Sequence, residues 1–320
     1  MAPRLVFVHG IGGPRDPAAE LAHWTTALAA GMRAAGHSAL ARSLEAAPGA
    51  HAAFVSYADL FGRPQAQGGD DAPTEAELLA AFVAELVDEA AEALAEEGGT
   101  PEQLRILDHA RAEAAPAGQQ QGAPDLVRRA LNVVTTLLSL RPWDGAGEWI
   151  TPKLMVRHLG QVSRYLARSE ADADGTTLDV RIRARVAAAI GDGPAVVVAH
   201  SLGTVVALET LHELRSPVPL FVTLGSPIAM RTVVLPRLRP QPPAVPDGTA
   251  RWLNFWDRDD VIAVRPRLEK DLAPGALGVR PVSARIDSDG LWVHTATKYL
   301  AQAAVAGPVA EALGAAPGSG

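Results

Sequence analysis

The sequence predicts an α/β fold, a mostly parallel sheet flanked by helices and carrying a large helical cap insertion. Three observations predict it. Short aliphatic runs of strand length alternate with stretches of helical periodicity. Two of those runs, Arg4 to Val8 and Ala195 to Val198, turn within a few small residues into helical patterns. From residue 62 to residue 175 the alternation stops and helix signals follow one another.

In chain order, Arg4 to Val8 reads as a buried strand, and His9-Gly10-Ile11-Gly12-Gly13 turns it into a helix with Leu21, Trp24, Leu28 and Met32 on one face. Ala52 to Tyr57 reads as a second strand of the same sheet. Inside the insertion, Thr74 with Glu77 and Thr100-Pro101 with Gln103 form capping boxes ahead of two helices. Ala115 to Pro124, with consecutive glutamines from Gln119, is a low-complexity loop. Leu126 to Leu140 and Lys153 to Leu166 are two further helices, the second opened by Thr151-Pro152.

Beyond the insertion, Leu178, Ile182, Val186 and Ile190 recur every four residues, and Gly191 to Pro194 stops that helix before Ala195-Val196-Val197-Val198. A helix from Gly203 to Leu214, a strand Leu220 to Leu224, a Pro-rich loop from Pro236 to Pro246 and a strand Trp252 to Trp256 complete the reading. The expected division is a core of residues 1–61 and 176–313, a cap of residues 62–175 and a flexible tail of residues 314–320.

Composition narrows the function classes. The 320 residues are 48% hydrophobic and 20% charged, a balance that folds rather than stays disordered. A net charge of -7 without a basic run argues against nucleic acid as partner. There is no cysteine, hence no disulfide framework or thiolate metal site. Neither a signal peptide nor a transmembrane run of about 18 apolar residues is seen, so a cytoplasmic location is the expectation. The apolar face of Leu131 to Leu140 is read as packing within the cap, ahead of a peripheral membrane or micelle contact or an acyl-lining role.

The chemistry concentrates in Val196-Val197-Val198-Ala199-His200-Ser201-Leu202-Gly203, a buried strand that bends abruptly into a helix with a serine at the apex. Strand and helix backbones cross closely at such a bend. Small residues are therefore needed two positions before and two after the serine, which Ala199 and Gly203 supply. The bend exposes the Ser201 hydroxyl and leaves the Leu202 amide at a helix N-terminus, where it can meet an oxyanion. The competing reading is a structural serine capping the helix. His9 to Gly12 offers a second oxyanion donor, the Ile11 amide; the plainer reading is a glycine turn serving geometry or a phosphate.

A serine hydroxyl needs a base, and the base an orienting acid. Asn254 through Val261 ends a strand in the acids Asp257, Asp259 and Asp260, and of the nine histidines only His294 follows them. Ser201 and His294 are thus the candidate nucleophile and base, and the acid stays open among Asp257, Asp259 and Asp260. His9, Gly10, Gly12, His200 and Gly203 support the bend, and the remaining histidines read as surface or packing groups. No pair of ligands at helical spacing suggests a metal, and no cofactor is implied.

His9 to Gly13, Ala199 to Thr204, Leu224-Gly225-Ser226-Pro227, and Asn254 through Ala263 with His294 resemble the class 3 lipases and the wider α/β-hydrolase esterases. The resemblance implies an α/β-hydrolase fold, a catalytic carboxylate standing immediately before a Val or an Ile-Val pair, which maps onto Asp260 with Asp259 and Asp257 as fallbacks, and a structural rather than catalytic role for Ser226. Ala199 in place of the motif's first glycine, and the cap, are departures that bear on substrate. The expectation is a carboxylic ester hydrolase acting on a small-molecule or lipid-like ester, with specificity set by the cap and with the Pro-rich loop bordering the site. A thioesterase or acyltransferase would use the same residues. The rival outside enzymes is an idle interaction protein on the same fold. Oligomeric state is left open.

Overall fold

A computed structural model describes residues 2–10, 12, 16–62, 75–114, 129–130, 132–134, 136, 152–257, 260, 262–263, 267–288 and 294–315. Its centre is a six-stranded, all-parallel sheet: β1 (Arg4–Val8), β2 (Ala52–Val55), β3 (Ala195–His200), β4 (Leu220–Leu224), β5 (Trp252–Asp257) and β6 (Pro281–Ile286), in the spatial order β2-β1-β3-β4-β5-β6. A parallel sheet covered on both faces needs apolar residues at every position rather than at alternate ones. β3 and β4 meet this demand, being buried from end to end.

Alternation along each strand divides the core. Leu5 and Phe7, Val196 and Val198, Leu220 and Val222, and Leu253 and Phe255 share one cluster with Trp24, Leu28 and Met32 of the Pro17–Ala34 helix and with Val305 and Val309 of the Ala303–Gly314 helix. That first helix starts where Asp16 accepts from the Ala18 amide at 3.1 Å and Pro17 occupies its first position. Leu28 is fully buried in the cluster. Its truncation to alanine carries a cost of about 2–5 kcal/mol. The Leu202–Glu213 helix contacts β1 and β3.

The chain divides into two compact units. One comprises Met1–Gly62, Val180–Ala229 and Leu238–Gly320; the other comprises Arg63–Asp179 and Met230–Arg237. Two stretches assigned by sequence to the core therefore go with the second unit, residues 176–179 and 230–237. Buried polar contacts hold them. Asp179 accepts from Arg168 at 2.7 Å and from Thr177 at 2.6 Å. The buried Glu85 carboxylate takes the Thr232 amide, the Thr232 hydroxyl and the Val233 amide.

Within the second unit, Glu75–Glu97 packs against Pro101–Ala114 and against Pro152–Ala167. The Thr100 box forms reciprocally: the Thr100 amide donates to Gln103 Oε1 at 2.9 Å and the Gln103 amide to Thr100 Oγ1 at 3.2 Å. Of the expected Leu126 to Leu140 helix, the described residues 129–130, 132–134 and 136 are helical. Thr74, Ala115 to Pro124, Thr151 and residues 316–320 of the expected tail lie outside the described residues. Elsewhere β2 stops at Val55 rather than Tyr57, and the helix after Ser201 starts at Leu202 rather than Gly203. Among the described residues no helix is long and apolar enough to cross a membrane.

Candidate active site

Ser201 stands between β3 and the Leu202–Glu213 helix at φ 56° and ψ −132°. A residue with a Cβ resists that conformation, at a cost on the order of 1–3 kcal/mol. The surroundings hold it there. Its amide donates to the Leu224 carbonyl at 3.1 Å, and its carbonyl accepts from the Thr204 amide at 2.9 Å and the Thr204 hydroxyl at 2.7 Å. Its own hydroxyl makes no capping bond to the helix, in contrast to the structural role set against it in the sequence reading. Ser201 Oγ lies instead 3.0 Å from His294 Nε2.

The glycines explain how two backbones come this close. A Cβ on Gly203 would stand 2.5 Å from both the Val8 and the His9 carbonyl oxygens. One on Gly10 would stand 2.6 Å from the Ser201 Cβ and 2.7 Å from the His200 carbonyl oxygen. The loop after β1 thus lies directly on the bend, with Gly10 beside the Leu202 amide. As the first amide of its helix, Leu202 N–H has no intrahelical partner, and a helix N-terminus favours a negative group. Ile11, the other expected donor, and Gly13 lie outside the described residues, whereas Gly12 is described and adopts φ 149°. His9 is buried against Trp24 and Phe54. His200 packs its ring 4.6 Å from that of His294 and edge-on to Trp24.

On its other side the His294 ring meets Asp260, with Nδ1 2.8 Å from Oδ2. Donation of the Nδ1 proton to the carboxylate leaves Nε2 as acceptor for the Ser201 hydroxyl. The Asp260 side chain is fully buried, yet amply bonded: the Ile262 amide donates to Oδ1 at 3.0 Å and the Tyr299 hydroxyl to Oδ2 at 2.7 Å. Burial works to raise this carboxyl. The facing His294 ring and the hydrogen bonds from His294, Tyr299 and the Ile262 amide outweigh burial and hold it below the usual carboxylate range.

Of the two fallback acids, Asp257 turns elsewhere, its carboxylate accepting the Ser288 amide and hydroxyl, both at 2.7 Å. Asp259 lies outside the described residues. Among the other histidines, His212 bonds the Ala244 carbonyl at 3.0 Å and His51 meets Ser43 at 3.5 Å. Among the described residues no group of three or more His, Cys, Asp or Glu side chains could hold a metal ion.

Two participants were given no place at the site by the sequence reading. Gly225, at φ 53°, sits so close to the acid and base that a Cβ there would stand 2.5 Å from Asp260 Oδ2 and 3.1 Å from His294 Nδ1. Tyr299 completes the bonding of Asp260. A glycine directly after a strand and a tyrosine five residues beyond the base were the available signals. Ser226, by contrast, is spent on structure, its hydroxyl bonded to Thr204 Oγ1 at 2.8 Å and to the Ile228 amide at 3.2 Å.

These observations define an α/β protein with a six-stranded parallel sheet and a Ser-His-Asp hydrogen-bond chain. Such a chain can draw the proton from the serine oxygen as that oxygen forms a bond to an electrophile. Comparison of the chain with known protein families, with curated proteins and with solved structures finds no match in any of the three.

Proposed function

We propose that the protein is a serine hydrolase of the α/β-hydrolase type, resembling the class 3 lipases, that cleaves a carboxylic ester through an acyl-enzyme on Ser201. The observation that carries the reading is the Ser201 hydroxyl, held by a strained bend, uncommitted to its helix and 3.0 Å from an imidazole that is itself 2.8 Å from a buried carboxylate. A structural serine would place its oxygen on the helix amides.

In this mechanism Ser201 Oγ attacks the ester carbonyl carbon while its proton passes to His294 Nε2. The carbonyl oxygen becomes an oxyanion facing the Leu202 amide, joined on the sequence reading by the Ile11 amide. Asp260 stays ionised and stabilises the imidazolium. Collapse of the intermediate expels the alcohol, which takes the His294 proton, and leaves the acyl group on Ser201. Water repeats the sequence, losing its proton to His294 and releasing the acid and the free serine.

A labelled fluorophosphonate tests this reading. The wild type is expected to become labelled at Ser201, and Ser201→Ala to resist labelling and to lower kcat on short p-nitrophenyl esters by on the order of 10⁴ or more with melting nearly unchanged. Retained turnover in Ser201→Ala overturns it.

A further inference from the structure

We propose that Tyr299 is a positioning residue of this site: its hydroxyl shares one carboxylate oxygen of Asp260 with the His294 ring and so fixes the direction from which the acid holds the base. The inference rests on the proposed hydrolase reading and assigns the site a fourth side chain.

The geometry is specific. Asp260 Oδ2 receives both the His294 Nδ1 proton, at 2.8 Å, and the Tyr299 hydroxyl proton, at 2.7 Å, while Oδ1 takes the Ile262 amide at 3.0 Å. A carboxylate held by one amide and one ring can pivot about its Cβ–Cγ bond and carry the ring away from the serine. A third donor from a separate element removes that freedom.

Tyr299 is itself immobilised. Its ring is fully buried in the same core cluster as Leu300 and Val305, and its oxygen accepts the Asp257 amide at 3.1 Å. The hydroxyl thus has one role in each direction, acceptor from the end of β5 and donor to Asp260. It belongs to the Ala296–Leu300 helix, which starts two residues after His294. Acid and base are accordingly tied twice, once directly and once through the phenol. Burial, reinforced by the Asp260 charge, raises the phenol far above its ordinary range. It therefore remains a proton donor throughout the cycle and exchanges no proton with substrate.

Tyr299→Phe keeps the ring and deletes the donor. The expected result is a fall in kcat of about 10- to 100-fold with KM little changed and the fraction of molecules labelled by fluorophosphonate at completion unchanged. In an Asp260→Asn background the same substitution is expected to add almost nothing, because its effect passes through Asp260. Wild-type turnover by Tyr299→Phe, or an equal penalty in both backgrounds, overturns the inference.

Site-specific difluorotyrosine at position 299 keeps the packing and strengthens the donor. It is expected to move the low-field proton resonance of the His294 Nδ1–H, and an unmoved resonance counts against the shared oxygen. A wild type that takes no fluorophosphonate and cleaves no ester defeats the hydrolase reading instead, and the resonance still reports on Tyr299.

Discussion

β3 and β4 lie side by side in register, His200 opposite Leu224, and each ends in the same backbone device. The next residue takes a positive φ, 56° at Ser201 and 53° at Gly225, and sends its amide to a carbonyl of the following strand, Leu224 or Phe255, at 3.1 Å. At β4 the bend falls on glycine, where it costs little, and the serine that follows is saturated by Thr204 and Ile228. At β3 the bend falls on the serine itself, and its hydroxyl faces an imidazole. One sheet edge thus holds a relaxed copy and a strained copy of one turn. Only the strained copy turns its hydroxyl to an imidazole, and backbone strain is expected to collect at functional sites.

The largest effect expected from breaking this contrast lies at the acid. Asp260→Asn is predicted to lower kcat by on the order of 10⁴, since the amide no longer holds the productive tautomer. Asp257→Asn, whose group is bonded to Ser288, is predicted to lose far less, and single-turnover kinetics with a p-nitrophenyl ester would rank the two. The same variant has a pH signature. Asp260 is held below its ordinary 3.8, so the stability it contributes is present above that value and lost as pH falls through its lower folded value. Melting temperature between about pH 5 and about pH 2 should consequently fall less steeply in Asp260→Asn than in the wild type.

A smaller effect is expected where the relaxed turn touches the site. Gly225→Ala would drive a methyl group into the bond between Asp260 and His294, with contacts of 2.5 and 3.1 Å. A fall in kcat of roughly 100-fold is predicted, together with a destabilisation of about 1–2 kcal/mol from the unfavourable backbone. Unchanged kinetics would show that the two turns are independent.

The smallest effects separate the two serines by stability rather than rate. Ser226→Ala should cost about 1 kcal/mol through its lost hydrogen bonds while kcat stays near that of the wild type. Ser201→Gly should abolish turnover yet stabilise the fold by roughly 1 kcal/mol, because glycine accepts φ 56°. Denaturant titration checks both, and a destabilised Ser201→Gly would mean that the strain is not where the dihedral places it.

Much of this was legible in the sequence because buried parallel strands and the bend after β3 are written in consecutive residues. The base was legible by position, as the histidine that follows the acids. The acid was open among three aspartates from the residues alone and was singled out as Asp260 only by resemblance, since what separates Asp257 from Asp260 is the partner each meets, Ser288 or His294. β6 escaped a firm reading because Val282 and Arg285 are exposed and it carries no continuous apolar run. The Ala303–Gly314 helix carries Pro308 in its interior, which breaks the usual helix signature. The stretch 230–237 leaves the core because of one buried glutamate, Glu85, far away in sequence. None of these long-range pairings has a local signal.

The pairing of β1 with β3, Arg4 against Ala195, joins neighbours in space that are distant in sequence. Cutting the polypeptide anywhere between β2 and β3 would put the glycine loop on one fragment and Ser201 on the other, so that neither half holds the whole site. On the proposed hydrolase reading, halves fused to two proteins that associate should cleave an ester only on encounter, which would suit this architecture to service as a split reporter of molecular proximity.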